Sequence, residues 1–343
     1  MRTVTAYAAR DLRIDEHPEP SPGPDEVLLR IQAGGICGSD LHYYNHGGFG
    51  TVRLKEPMIL GHEVSGRVIA MGDNVVGLSD GQLVAVSPSR PCGTCEFCRE
   101  GAQNHCLNMR FYGSAMPFPH IQGAFREFLI ASADQCVPAD GLTINEAAMA
   151  EPLSVVLHAA KLAGDLMGKR VLVTGCGPIG LLAVIVARAA GAVEIVATDV
   201  ADFTLEMARQ NGADQTVNVG NDPSGLDRYS SRAGHFDVHF ECSGVAAALR
   251  SAVAAMRPRG VIIQLGLGGD MTLPVQAMTA KELTMKGSFR FHAEFSRSVE
   301  LMQNGRINVS PLVTQEVAFD NAAEAFALAN DRQQAIKVQL NFA

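Results

Sequence analysis

The sequence predicts an α/β protein in two parts: a β-rich body of irregular loops, and a doubly wound parallel-sheet domain that follows it or is inserted into it. Three observations predict this. The 343-residue chain is 47% hydrophobic and 19% charged, enough apolar material for about two domains that each bury a core. Glycine and proline cut its first half into short apolar runs, the texture of an irregular all-β body. Near residue 143 helix-like segments begin to alternate with apolar strand candidates, the signature of right-handed βαβ units and a parallel sheet.

In chain order, HPEPSPGPDEV, GGICGSD, HGGFG and ILGHEVSG are the breaks of the first half, and VLLRIQA and QLVAVSP are strand candidates between them. The alternating part reads RVLVTG as a strand, IGLLAVIVARAAGA as a helix, EIVATD as a strand, FTLEMARQNGA as a helix and QTVNV as a strand. Strands at FDVHFEC and GVIIQLGL flank a helix at AAALRSAVAAM. After about residue 287 the pattern gives way to two helix candidates, EFSRSVELMQNG and NAAEAFALAND, and a closing strand, AIKVQLNF. No internal repeat is present, which removes solenoids.

The net charge of −8, with no run of Lys and Arg, argues against a surface that coats nucleic acid. The N-terminal stretch MRTVTAYAARDLRIDE lacks the apolar core of a signal peptide. Apolar stretches are broken before the ~18 residues a membrane span needs. A cytoplasmic protein is expected, with small molecules or copies of itself as partners and neither nucleic acid nor membrane. In that reducing compartment eight cysteines do not read as a disulfide framework.

Residues 175–180 read GCGPIG, a G-x-G-x-x-G between a strand and a helix. Gly175 permits a tight turn, Gly177 admits a pyrophosphate to the backbone, and Gly180 lets the helix pack on the strand, with Pro178 and Ile179 opening that helix. The next strand ends in Asp199, about 20 residues on, where a carboxylate accepts from adenosine ribose hydroxyls. An acid there repels a 2′-phosphate, and no Arg or Lys follows in VADFTLEMA, so NAD is expected over NADP. The plainer alternative is a glycine turn in a doubly wound domain that binds something else or nothing.

Two sets of residues have metal-ligand chemistry. PCGTCEFCREGAQNHC carries Cys92, Cys95, Cys98 and Cys106; four thiolates close a tetrahedral zinc shell and leave no position for substrate, so this site is expected to be structural. A redox C-x-x-C needs the start of a helix in a thioredoxin-like unit. A nucleic-acid knuckle needs more positive charge than Arg90, Arg99 and Arg110 supply beside Glu96 and Glu100. The second set is dispersed: Cys37, the pair His62 and Glu63, and Glu151. Thiolate, imidazole and carboxylate together form an open, catalytic type of zinc site. Singly, each has a plainer explanation: a small buried hydrophobe, a hydrogen-bonded core histidine, a helix N-terminal charge. Beside a nicotinamide site, however, they point to alcohol oxidation, because a hydride leaves a carbinol carbon readily only when its oxygen is negative. Ser39 and His42 could then hand the alcohol proton outward.

GGICGSDLHYY, GHEVSGRVIAMGDNV, the cysteine loop, EPLSVVLHA, GCGPIG with Asp199, and GSFRF together resemble the zinc-containing medium-chain dehydrogenases/reductases along nearly the whole chain. Glu151 matches the Glu of the polyol-dehydrogenase branch. The resemblance implies a GroES-like β-rich catalytic domain (1–148, returning at 287–343) and a Rossmann NAD-binding domain (149–286), assembled as homodimers or homotetramers. It implies Cys37, His62 and Glu63 as catalytic-zinc ligands, with Glu151 binding the metal directly or through its water, and the four cysteines as structural-zinc ligands. Ser39 and His42 fall at the proton relay and Tyr43 at a substrate contact. Leu265, Gly266, Leu267, Ser288, Phe289 and Arg290 fall on the nicotinamide side.

Within the branch, NMRFYGSAMPFPHIQGAF resembles members that oxidise a sugar acid, for whose carboxylate Arg110, His120 and Arg290 are candidate cations. Polyol (sorbitol or xylitol) and threonine-type dehydrogenation are the alternatives within the class, and a non-catalytic cofactor-binding protein the alternative outside it. One departure is Thr204, where NAD-preferring members often carry Arg, which implies fewer adenosine contacts and a weaker cofactor preference.

Overall fold

In the computed structural model, which describes residues 1–342, the first half forms a seven-stranded sheet. Its strands are β1 (Glu26–Gly35), β2 (Glu63–Met71), β3 (Leu83–Val86), β6 (Phe128–Ser132) and β7 (Cys136–Pro138), joined from the far end of the chain by β14 (Val313–Ala318) and β15 (Lys337–Asn341). The order is β7-β3-β2-β1-β15-β14, with β6 also on β1. Two short strands, β4 (Ser89–Arg90) and β5 (Arg110–Phe111), pair with each other beside it. Alternation along β1 buries Val27, Leu29 and Ile31 and turns Arg30 outward, as a sheet with one buried face requires.

The second unit is a six-stranded, all-parallel sheet of β8 (Arg170–Thr174), β9 (Glu194–Asp199), β10 (Gln215–Asn218), β11 (Phe236–Glu241), β12 (Met256–Gln264) and β13 (Thr284–Gly287). Its order, β10-β9-β8-β11-β12-β13, reverses between β8 and β11, and ligands bind at such a switch point, outside the carboxyl ends of the strands. The fold is therefore the expected pair, a GroES-like body and a Rossmann domain.

Each strand and helix named from the sequence forms. Several other elements were not named from the sequence, and three of them bear on the site. α1 (Gly38–His46) lies in the β-rich half and has no apolar period; Asp40 holds its first turn and Gly47, at φ +65, ends it. α2 (Ala150–Ala163) carries EPLSVVLHA. β13 is a four-residue edge strand with mostly exposed side chains. The remaining helices used below are α3 (Pro178–Ala189), α4 (Asp202–Gln210), α5 (Ala246–Ala255), α6 (Glu294–Gln303) and α7 (Ala322–Ala329). α6 packs on α2, placing Phe295, Val299 and Met302 in the core around β8 and α3, and the chain re-enters the first sheet only at β14. No helix among the described residues is long and apolar enough to cross a membrane.

Candidate active site

At the end of β8 the chain turns through Gly175, whose φ of +83 and a Cβ position 2.7 Å from the Ser243 nitrogen exclude a side chain. A Cβ on Gly180 would lie 1.8 Å from the Gly175 carbonyl oxygen, so α3 can approach the strand only with glycine there. Gly177 is different: its φ is −68 and nothing lies within 4 Å of its missing Cβ. Neither turn nor packing requires glycine at this position, and what its absent side chain leaves clear is the space before the α3 N-terminus. A dinucleotide pyrophosphate fits that space.

The Asp199 carboxylate, buried at the end of β9, accepts from the Cys176 N–H (2.6 Å) and from the Val200 and Ala201 N–H groups (2.7 and 3.1 Å). It thus ties the glycine loop to the second strand. Thr204 is turned inward, its hydroxyl donating to the Ala201 carbonyl. Across the switch point, buried Glu241 accepts from the Ser243 and Gly244 N–H groups, the Ser243 hydroxyl and the Gln264 side chain, fixing the loops that follow β11 and β12.

A cavity of about 210 Å³ runs from this loop into the other domain. Gly175, Gly177, Pro178, Ile179, Gly180, Asp199 and Thr204 line one side, and Cys37, Glu63 and Lys337 the other. Arg332, in the loop between α7 and β15, joins the same lining. The sequence pattern around Asp199 contains no cation, so this one comes from the opposite domain.

Cys37, just before α1, and His62 and Glu63, at the start of β2, bring their donor atoms within 4.8 Å of one another. Asp40, wholly buried, accepts from the Cys37 and Gly61 N–H groups (3.0 and 3.1 Å), and its carboxylate lies 3.7 Å from His62 Nδ1. His62 Nδ1 has no hydrogen-bond partner among the described residues. A carboxylate behind the rear nitrogen of a histidine orients the other nitrogen toward a metal. Gly35 must lack a side chain, since its Cβ would meet Glu63 Oε2 at 2.2 Å. Both Glu63 oxygens accept from Lys337 Nζ, at 2.8 and 2.6 Å, each keeping a second lone pair.

Burial, with Glu63 and Cys37 nearby, pushes the Glu151 carboxyl up to about 8. It lies in the first turn of α2 and close enough to feel His62 and Lys337, yet it lies outside the tight donor set. Burial likewise pushes the Cys37 thiol up to about 12. A buried thiol, imidazole and carboxylate with one ammonium among them are costly as a set without a cation, which is the sense in which these residues fit zinc.

Ser39 and His42 lie three apart on α1, on one face. Burial, then His46, lowers the His42 pKa. Tyr43 is fully buried, its ring against Phe49 and its hydroxyl accepting from the Ala115 N–H at 3.1 Å.

In the separate loop, the sulfurs of Cys92, Cys95, Cys98 and Cys106 form the second group within metal-holding distance. N–H groups point at them: Cys92 to Cys106 Sγ (3.2 Å), Cys95 to Cys92 Sγ (3.4 Å) and Asn108 to Cys106 Sγ (3.3 Å). Hydrogen bonds from Thr94, its backbone first, and from Asn108 hold the Cys92 thiol down to about 5. All eight cysteines are free.

Residues 23–141 match the alcohol dehydrogenase GroES-like domain and residues 178–304 the zinc-binding dehydrogenase domain. The L-idonate 5-dehydrogenase (NAD(P)(+)) of Escherichia coli is 45% identical over 318 residues, 92% of each chain. The chain belongs to the zinc-containing medium-chain dehydrogenases/reductases. Chicken (Gallus gallus) sorbitol dehydrogenase is 39% identical over 98% of this chain and 95% of its own. The crystal structure of the Escherichia coli L-idonate enzyme superposes with a TM-score of 0.95 at 42% identity, covering 99% of this chain and 98% of that one. The protein is thus a zinc-dependent, NAD-linked dehydrogenase of this family, similar to the L-idonate and sorbitol enzymes.

Within this dehydrogenase, Arg290 lies over the ring of Phe111 at 4.2 Å and over Phe289 at 4.9 Å. Phe111 in turn faces the His62 ring at 5.6 Å. Arg290 is half-buried, has φ +54, and burial lowers its pKa to about 10, with Glu151 and Tyr43 opposing. Phe289 stacks on His105 of the cysteine lobe, and its carbonyl accepts from the Asn104 amide. Ser288 follows β13, its N–H bonded to Gln264 and its hydroxyl unpartnered. Gly266 bonds through its N–H to the Glu241 carbonyl, between partly buried Leu265 and exposed Leu267.

The expectation for Arg110 and His120 is corrected. Period-two alternation along β5 sends Phe111 to the catalytic side, whereas Arg110 lines a different cavity with His120. Both His120 ring nitrogens are engaged, with the Lys55 N–H and the Pro117 carbonyl. Asp40, Phe111, Glu241, Arg332 and Lys337 are site residues that sequence reasoning missed. One signal was available for Lys337, a lone cation within the apolar strand AIKVQLNF.

Proposed function

We propose that this dehydrogenase catalyses the reversible NAD-linked oxidation of a secondary alcohol of a sugar acid, L-idonate to 5-keto-D-gluconate. One observation carries the choice of a sugar acid: Arg290, with no ion-pair partner among the described residues and a hydrogen bond to Met116 Sδ, holds its guanidinium over the ring that faces His62. A carboxylate-bearing substrate supplies its counter-charge. The similarity to the L-idonate enzyme supports the same reading.

Cys37, His62 and Glu63 would hold the catalytic zinc, with Glu151 beside it, and the closed four-cysteine set the structural one, because only the mixed set leaves room for substrate. When bound, zinc supplies a Lewis acid that acidifies the substrate hydroxyl and NAD supplies the hydride acceptor. The chain's own residues do the rest. Ser39 accepts the hydroxyl proton as it gives its own to His42, which is neutral near pH 7 because burial lowers its pKa and which passes the proton outward. Gly175 to Gly180 cradle the pyrophosphate and Asp199 takes the adenosine ribose, favouring NAD over NADP. Leu265–Leu267 and Ser288–Arg290 flank the nicotinamide, and Tyr43 backs the substrate.

The domain limits 1–148, 149–286 and 287–343 belong to the same reading. Eight free cysteines support a cytoplasmic location, and the family supports a homodimer or homotetramer. Turnover with NAD and NADP on L-idonate, sorbitol, xylitol and L-threonine is the test. The proposal expects the highest kcat/KM for L-idonate with NAD; no turnover of L-idonate or 5-keto-D-gluconate removes it, and preference for sorbitol moves the protein to the polyol enzymes.

A further inference from the structure

We infer that the cavity behind β5, lined by Arg90, Arg110 and Arg126, is an oxyanion-binding site separate from the active site. The cavity measures about 270 Å³ and no aspartate or glutamate lines it. None of its lining residues belongs to the cleft between the domains. Arg90 and Arg110 are directly opposed across the β4–β5 ladder, a pairing of like charges that costs stability. Neither has an ion-pair partner among the described residues. Arg126 reaches the cavity from the loop before β6, half-buried, with burial lowering its pKa. Its side chain donates from Nε to the Gly123 carbonyl at 2.9 Å, and its terminal nitrogens have no acceptor among the described residues.

Three arginines that line one cavity, with no carboxylate among its lining residues, form a receptor for a planar or tetrahedral oxyanion, which the guanidinium fork binds bidentately. The walls are built and rigid. Tyr112 donates its hydroxyl to the Ile130 carbonyl and lies 3.3 Å from the Gln135 side chain, while Gln135 also donates to the Ser87 carbonyl. His120 is fixed at both nitrogens. The polar wall groups are therefore already spent on each other, and the charge left over is that of the arginines. The volume suits a phosphate or a small carboxylate. The anion is either a free solute or a carboxylate of a second copy of the chain, and the two sources separate experimentally.

The test is calorimetric titration of inorganic phosphate into the zinc-loaded protein saturated with NADH, so that the cofactor's own phosphate site is occupied, against chloride at equal ionic strength. It is run for wild type, R110Q, R90Q/R110Q and R126Q, with sedimentation of each. A free solute gives saturable binding to wild type, weakened at least tenfold in R110Q and more in R90Q/R110Q, with turnover and oligomeric state unchanged. A carboxylate from a second copy gives no phosphate binding to wild type but dissociation of R90Q/R110Q into smaller species. If neither phosphate affinity nor oligomeric state differs between wild type and R90Q/R110Q, which replaces only exposed side chains, the inference is overturned whether or not R126Q folds.

Discussion

Lys337 Nζ lies 2.8 and 2.6 Å from the two carboxylate oxygens of Glu63, and the two residues are 2% and 1% exposed. The ammonium donates also to the Ile36 carbonyl at 3.2 Å. The last strand of the chain thus reaches back to Cys37 and Glu63, and its charge balances one of the anions gathered there.

Removing one partner strands the other as an uncompensated buried charge. K337M is expected to lose about 3–5 kcal/mol of stability, and the double variant E63Q/K337M to recover much of that. Urea unfolding of wild type, K337M, E63Q and the double variant measures it; simple additivity of the two single substitutions would show that the pair is not coupled.

The glycine loop separates a packing requirement from a ligand requirement. G180A should fail to fold or fold poorly, since its Cβ would meet the Gly175 carbonyl oxygen at 1.8 Å. G177V, with open space around the new side chain, should keep the wild-type Tm and weaken NADH binding about tenfold or more, read by nicotinamide fluorescence. Equal NADH affinity in G177V would place the pyrophosphate elsewhere.

Cofactor binding should draw on both domains. R332A is expected to raise the Kd for NADH about tenfold, as loss of one charge-assisted hydrogen bond implies, without shifting Tm. D199A should weaken NADH more than NADPH, because the acid that receives the ribose hydroxyls also repels a 2′-phosphate. A D199A enzyme that still prefers NADH by the wild-type margin would contradict this.

His239, wholly buried on β11 with Nε2 against the Thr174 hydroxyl at 2.9 Å, has its pKa pushed by burial to about 3. The native protein excludes the proton that the unfolded chain takes up near pH 6.5. This group's contribution is therefore complete above about pH 6.5 and is lost progressively as pH falls toward 3. Between pH 7 and 5 it should remove about 2 kcal/mol. H239Q, which keeps a nitrogen for Thr174, should flatten that slope in urea unfolding; identical slopes would show that His239 is protonated in the fold.

The parts of this protein legible in the sequence are those whose constraint is local. Cys92, Cys95, Cys98 and Cys106 occupy one loop, and Gly175 to Asp199 span one strand–helix–strand unit, so spacing alone carried them. Cys37, His62, Glu63 and Glu151 come from separate segments, so no spacing joins them; ligand chemistry beside a nicotinamide site suggested the set, and the family resemblance implied their roles. Lys337 meets Glu63 across 274 residues and Arg332 lines the same cavity as Asp199 from far along the chain, relationships that no periodicity encodes. Arg110 was misplaced because a two-residue strand is too short to show which face each side chain takes, and the fold gave the catalytic side to Phe111.

The most direct test is the zinc content per chain and the turnover of wild type, C37S and C95S, measured side by side. The open donor set should do the chemistry and the closed set should hold the lobe. Wild type should carry two zinc ions. C37S should keep one, with turnover abolished and Tm little changed, and C95S should keep one, with a lowered Tm and residual turnover of the folded fraction. A C37S enzyme with wild-type turnover, or a C95S enzyme inactive at full stability, would contradict that division of labour.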